Sequence, residues 1–297
     1  MLDIVVIGSG PAGMSAAIYG KRANLQVMVL EKEYEGTGQI AESSQVDNYL
    51  GYWEIDGFEL GEKFRQHAEQ FGVEFKEGEV QSIRQEGETW KLTLDDQTEV
   101  ETRTVIYAAG ATHRRLGVEG EERLAGKGVS YCATCDGAFF KDKNVVVVGG
   151  GDTAQDDALY LAEIAEKVYV IHRRNEFRGA KKQVMALQQK ENVSFVLNAN
   201  VKEIKGENTV TEVVLDHGET ISTDAVFVAI GMEPQNELVK EFLSLDAQGY
   251  VIADETGKTE KAGFFVAGDV RTKSLRQVVT AVADGANAAT SASHYLK

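Results

Sequence analysis

Apolar residues recur along this chain in two rhythms. An unbroken run, DIVVI at 3–7, is followed by glycines, then by apolar positions three and four apart through PAGMSAAIYGKR, then by a second run, VMVLE at 27–31. An unbroken run suits a strand covered on both faces, and the 3.6-residue rhythm suits a helix lying against it. The pattern therefore predicts a βαβ unit with parallel strands. The same succession returns at 144–174, NVVVVGGGDTAQDDALYLAEIAEKVYVIHRR. TVIYAAGATHR (104–114) and AVFVAIGMEPQN (225–236) each read as a buried strand running into a small-residue turn, one per copy. A third run, GFFVAGDV (263–270), leads into SLRQVVTAVADGANAATSASHYL, where Leu275, Val278, Val279 and Val282 recur at helical spacing. A helix begun after Gly268 and Asp269 would direct its positive end at an anion or an electron-rich ring.

The turns carry the chemistry. In the first copy Gly8, Gly10 and Gly13 stand in GxGxxG spacing between strand and helix, and Glu31 closes the second strand. Such glycines permit a tight turn and the close approach of a pyrophosphate to a helix N-terminus, and the acid accepts ribose hydroxyls. In the second copy Gly149, Gly151 and Ala154 take those positions, but His172, Arg173 and Arg174 replace the acid, with Arg178, Lys181 and Lys182 close behind. An acid there would repel a 2′-phosphate, whereas arginines bind one in a bidentate fashion. The first copy suits an unphosphorylated adenosine ribose, the second NADPH. The bland alternative for HRRNEFRGAKK is a solvated basic face.

Prolines occur only at Pro11 and Pro234, and no linker separates the halves. The domain boundaries come from the repeat: 1–113 and 242–297 form one nucleotide-binding domain, and 114–241 a second inserted into it. The fold class expected is α/β, two Rossmann-like dinucleotide-binding domains.

With 47 acidic and 31 basic side chains the formal charge is −16, which repels nucleic acid and anionic membrane surfaces. MLDIVVIGSG shows no basic leader, and no apolar stretch approaches the roughly 18 to 20 residues of a membrane span. A cytoplasmic protein is expected. The two cysteines, Cys132 and Cys135, are too few for a disulfide framework. A lone CxxC is half a zinc site, and His67, His113, His172, His217 and His294 show no paired ligand spacing, so no metal is expected. Redox chemistry and a chance pairing remain.

Taken together, GSGPAG (8–13), GQ (38–39), CATCDG (132–137), GGGDTA (149–154), HRR (172–174), AGD (267–269) and RQ (276–277) resemble the low-molecular-weight, bacterial-type thioredoxin reductases, from the first strand to the last helix. The resemblance implies FAD held by Gly8, Gly10, Pro11, Ala12, Gly13, Glu31, Lys32, Gly38, Gln39, Asn48, Ala109 and Gly110, with Gly268, Asp269, Arg276 and Gln277 beside the ribityl chain and flavin. Thr37, Asp47 and Ala111 are further contacts on the same basis. It implies NADPH on Gly151, Asp152, Thr153, His172, Arg173, Arg174 and Arg178. It implies a homodimer that reduces thioredoxin or a thioredoxin-like protein, with Cys135 facing the flavin, Cys132 attacking the substrate disulfide, and Asp136 exchanging protons with the leaving thiol. The alternative role for Asp136 is a helix N-cap. Because the CxxC precedes the second fingerprint strand, it travels with the nicotinamide domain, and that domain should turn between two orientations about its connections.

Departures from the family pattern are Thr37-Gly38-Gln39 in place of Gly-Gly-Gln, NYLG at 48–51 in place of Asn-aromatic-Pro-Gly, Asn175 for an acid, and Gly179 for alanine. NYLGY also resembles a ferredoxin-dependent branch that has lost its pyridine-nucleotide motifs. Those motifs persist here and favour NADPH over NADH or reduced ferredoxin. A flavin-bearing redox sensor is the non-enzyme alternative, and it would gain nothing from a second nucleotide site.

Overall fold

The computed structural model describes residues 1–32, 37–43 and 45–297. The chain divides into two compact units, residues 1–112 with 233–297, and residues 113–232.

In the first unit, parallel strands run in the order Glu74–Glu77, Val27–Glu31, Leu2–Ile7, Glu99–Tyr107, with Phe264–Val266 beside the last. The final run thus returns to the first unit and pairs Phe264, Phe265 and Val266 with Val105, Ile106 and Tyr107. Alternation sorts the side chains. Ile4 and Val6 face the helices Pro11–Arg22 and Val278–Tyr295, while Val5 and Ile7 join Trp90, Leu92 and Phe264 on the other face. Both faces are covered, which is why the strand LDIVVI contains no polar alternation after Asp3. An antiparallel meander, Val80–Glu86 and Thr89–Leu94, leads into Glu99–Tyr107.

The second unit repeats this plan: Val193–Leu197, Lys167–His172, Asn144–Val148, Ala225–Val228, Val129–Ser130, all parallel. A three-stranded antiparallel sheet, Val201–Lys205, Glu212–Leu215, Thr220–Ser222, accompanies it. Both units are Rossmann-like, the second inserted into the first.

Two expectations are corrected. Residues 233–241, assigned from the sequence to the inserted domain, lie in the first unit: Val239 is buried among Trp90, Tyr107 and Phe264, and the Tyr107 hydroxyl donates to the Gln235 carbonyl at 2.7 Å. The last helix begins at Val278, leaving Leu275 before it and 52% exposed, and Val279 is 48% exposed. Its buried stripe is made of small residues instead, Ala281, Gly285, Ala288, Ala289 and Ala292. A Cβ on Gly285 would stand 2.0 Å from the Ala12 carbonyl oxygen, so the two helices approach too closely for larger side chains. Among the described residues no helix is long and apolar enough to cross a membrane.

Candidate active site

Two glycine turns of the same build stand at the strand ends, and within each the glycines divide into two kinds. Gly8 has φ +106°, and a Cβ there would meet the Ala108 carbonyl oxygen at 2.5 Å. A Cβ on Gly13 would meet the Gly8 oxygen at 1.9 Å. In the second turn a Cβ on Gly149 would meet the Ala229 oxygen at 2.3 Å. These positions need glycine for the protein's own packing. The middle positions do not. Gly10 (φ −70°, ψ 179°) has no atom nearer than 3.9 Å to a Cβ, and Gly151 (φ −95°, ψ −176°) has none within 4 Å. Each has an ordinary backbone conformation and faces open space in front of a helix N-terminus. Space of this kind at a helix N-terminus can admit the phosphate of a ligand.

A cavity of about 320 Å³ opens at the first turn. Of the residues expected around a flavin dinucleotide, Gly8, Gly10, Pro11, Ala12, Lys32, Gly38, Gln39, Ala109, Gly110, Ala111, Gly268, Asp269 and Gln277 line it. Gly13 stands behind, holding the turn. Thr37 is buried against Gly61. Asn48 is joined to the site through its Nδ2, which donates to Gln277 Oε1 at 3.0 Å. Asp47, next to it, is half-buried and does not line the cavity. Arg276 lies with its guanidinium 3.8 Å from the Tyr250 ring centroid, and its Nε donates to the Asp269 carbonyl at 3.5 Å. Glu31 is 3% exposed and does not line the open cavity; its Oε2 accepts from Arg65.

Asp269 sits in a buried charged network. Burial raises its carboxyl above the ordinary aspartate value, opposed by Lys273 at 3.6 Å and by Arg276. Lys273 Nζ also reaches Asp284 at 2.9 Å, and Arg271 grips Asp284 through Nε and Nη2 at 2.9 and 2.6 Å. The AGD turn is thereby tied to the last helix. Sequence reasoning missed Ser9, Ile40, Ala108, Thr112, Val278 and Ala281 as lining residues; only Ser9 lay inside a motif.

A cavity of about 520 Å³ opens at the second turn. Gly151, Thr153, His172, Arg173 and Arg178 line it, and so does Arg114, which the sequence reading passed over although it ends ATHR. Asp152 takes another part: its Oδ1 accepts the Ala180 N–H at 2.7 Å, while the Arg178 N–H donates to the Gly150 carbonyl at 2.8 Å. Both bonds clamp the arginine-bearing loop to the glycine turn. Arg174 is exposed and outside the cavity lining. The His172 ring stacks on Phe177, with centroids 5.4 Å apart, and lies against Gly150. Burial, reinforced by Arg173, Arg174 and Arg178, pulls its pKa below the ordinary histidine value, so the positive charge of this cavity comes from arginines.

Cys132 and Cys135 form a disulfide with a Cα–Cα distance of 5.3 Å, spanning the start of the short helix Ala133–Asp136. Both are half-buried. The Ser130 hydroxyl donates to Asp136 Oδ2 at 2.6 Å and accepts the Cys132 N–H at 3.1 Å. One hydroxyl therefore links the acid to the backbone of the first cysteine. Asp136 makes no side-chain capping bond. Ser130 was also missed by the sequence reading; it lies two residues before the CxxC. Among the described residues no group of three or more His, Cys, Asp or Glu side chains is placed to hold a metal ion.

A sequence profile described as pyridine nucleotide-disulphide oxidoreductase matches residues 2–285. The chain is similar to the thioredoxin reductase of Bacillus subtilis (strain 168), 42% identical over 301 residues covering 99% of this chain and 95% of that one. It is similar to the thioredoxin reductase of Listeria innocua, 43% identical over 304 residues, 99% of this chain and 94% of the other. In three dimensions it is similar to the crystal structure of thioredoxin reductase from Streptococcus pyogenes MGAS5005, with a TM-score of 0.94, 42% identity, and coverage of 100% of this chain and 98% of that chain.

Proposed function

The chain belongs to the pyridine nucleotide-disulphide oxidoreductase family and, within it, to the thioredoxin reductases of the bacterial type; from that premise we propose that it takes electrons from NADPH, holds FAD in the first cradle, and reduces thioredoxin as a cytoplasmic homodimer. The observation that carries the two-cofactor reading is the pair of middle glycines, Gly10 and Gly151, whose missing side chains clear space that nothing in the protein fills. Arg173 and Arg178, which line the second cavity with Arg114, support NADPH over NADH, since guanidinium ions complement a 2′-phosphate.

Bound FAD would supply the two-electron chemistry that couples a hydride donor to a dithiol. The chain's own groups do the rest. The two turns bind pyrophosphates at helix N-termini, and Asp269, Gln277 and Asn48 orient the flavin end of the first ligand. After reduction of the disulfide, the Cys132 thiolate attacks one sulfur of the thioredoxin disulfide, forming a mixed disulfide and expelling a partner thiolate. Cys135 then attacks the Cys132 sulfur, restoring the internal disulfide and expelling the second thiolate. The two protons of the dithiol end on thioredoxin. Asp136, steadied by Ser130, relays a proton to a departing sulfur.

An anaerobic titration with NADPH, NADH and reduced ferredoxin in turn tests the donor. NADPH is expected to bleach the flavin at the lowest concentration and to support turnover of thioredoxin. Equal efficiency of NADH, or reduction by ferredoxin alone, would overturn that assignment.

A further inference from the structure

Glu31, at the end of the strand Val27–Glu31, is 3% exposed, and its Oε2 accepts from Arg65 Nη1 at 2.7 Å. Arg65 arrives from the helix Gly57–Gln70 and is itself 8% exposed. Its guanidinium lies 4.2 Å from the centroid of the Phe75 ring, on the strand Glu74–Glu77 that pairs with Val27–Glu31, and its Nε donates to Glu69 Oε1 at 3.0 Å. A helix and two adjacent strands thus hold one guanidinium fork in place. A buried carboxylate loses its hydration, a cost that a charged, hydrogen-bonded partner offsets. Arg65 removes that penalty while engaging only Oε2. Among the described residues nothing donates to Oε1, and a carboxylate has lone pairs on both oxygens.

An acid at the end of the second strand of such a unit is placed to accept ribose hydroxyls. Resting on the reading of the first cradle as an FAD site, we propose that Arg65 is a positioning residue for the adenosine end of FAD: it holds the Glu31 carboxylate turned so that Oε1 meets the ribose, and it acts through Glu31 alone. The competing account is that Arg65 merely ties its helix to the sheet.

A double-mutant cycle separates the two. Arg65→Met, Glu31→Gln and the double variant are compared with the parent by FAD release from the purified holoenzyme on dilution. Rebinding of FAD or FMN to the stripped protein and the melting temperature are measured in parallel. Glu31→Gln is expected to weaken FAD about tenfold or more, the scale for a lost bond to a charged group, and to leave FMN, which lacks the adenosine ribose, unaffected. Arg65→Met is expected to weaken FAD by a similar factor, about tenfold, but by less than about twofold when Glu31 is already Gln. Equal effects of Arg65→Met in both backgrounds, an equal loss of FMN, or a lowered melting temperature with FAD affinity intact would each overturn the proposal. Unchanged FAD affinity in Glu31→Gln would instead overturn the ribose role of Glu31 and the proposal with it, a distinguishable failure. Should Arg65→Met not fold, Arg65→Lys, which keeps the charge and loses the fork, carries the same cycle: FAD weakens several-fold only when Glu31 is present, and a shift equal in both backgrounds overturns the proposal.

Discussion

At the scale of single residues the thiols decide most. Cys132→Ser and Cys135→Ser are each expected to abolish thioredoxin turnover while leaving flavin reduction by the donor intact, because serine cannot form the exchanging disulfide; stopped-flow bleaching beside a coupled thioredoxin assay reads both. Asp136→Asn should slow exchange by about 10²- to 10⁴-fold, the range for a lost general acid, with folding and cofactor content unchanged. Rates equal to the parent would return Asp136 to a purely structural role beside Ser130. Asp157 offers a pH-dependent test. Burial, then repulsion from Asp156, pushes its carboxyl up to about 7. Between the ordinary value near about 4 and that point, the folded chain keeps a proton the unfolded chain has lost, so stability falls as pH rises through this window and levels above it. Asp157→Asn should therefore stabilise the protein by about 1 to 3 kcal/mol at pH 8 and hardly at all at pH 4, as urea titrations at the two pH values would register. Of these residues the disulfide-forming cysteines were legible because they are adjacent in sequence. Ser130 and Arg65 were not, since one polar residue among many is singled out only by what it touches after folding.

At the scale of elements, the fingerprint turns were legible because strand, turn and helix are local, and their glycines can now be sorted. Gly149→Ala should destabilise by about 2 kcal/mol or more, since its Cβ would overlap the Ala229 oxygen at a positive φ. Gly151→Ala should leave stability within about 0.5 kcal/mol and weaken the nicotinamide nucleotide, because its methyl group enters only the space in front of the helix. Thermal melts with and without NADPH distinguish the two. The last helix was the element least legible. Its hydrophobic rhythm pointed to Leu275 and Val279, both exposed, whereas its packing depends on Gly285 and four alanines, which carry too little hydrophobicity to mark a face. The charges on that helix were equally silent. Asp284 is 5% exposed and pairs with Arg271 and Lys273, so Asp284→Asn would remove the carboxylate that grips buried Arg271 and one of the two that Lys273 meets, and cost about 3 to 5 kcal/mol, measurable by urea unfolding.

At the scale of the molecule, the internal repeat made the two-unit plan legible, including the return of the final segment to the first unit. The second boundary was misplaced, because residues 233–241 join their core through Val239 and Gln235 without any local signature. The two passages between the units, Ala111–His113 and Met232–Pro234, pair as a two-stranded ladder. The inserted unit has its five parallel strands within one continuous stretch, 113–232, and the first unit does not: its strand Phe264–Val266 and its helix Val278–Tyr295 come from the far end of the chain. On a ribosome this sets an order of birth. At about 5 to 20 residues per second, a nascent chain that has just emitted residue 113 needs roughly 10 to 40 s to reach the last helix. The inserted unit can close its sheet during that interval, while Ile4, Val6 and Ile106 await the alanine stripe that covers them. The first half is therefore born with an apolar sheet face that the helix Pro11–Arg22 covers only in part, a natural customer for a chaperone, and the proposed flavin cradle is complete only on a finished polypeptide.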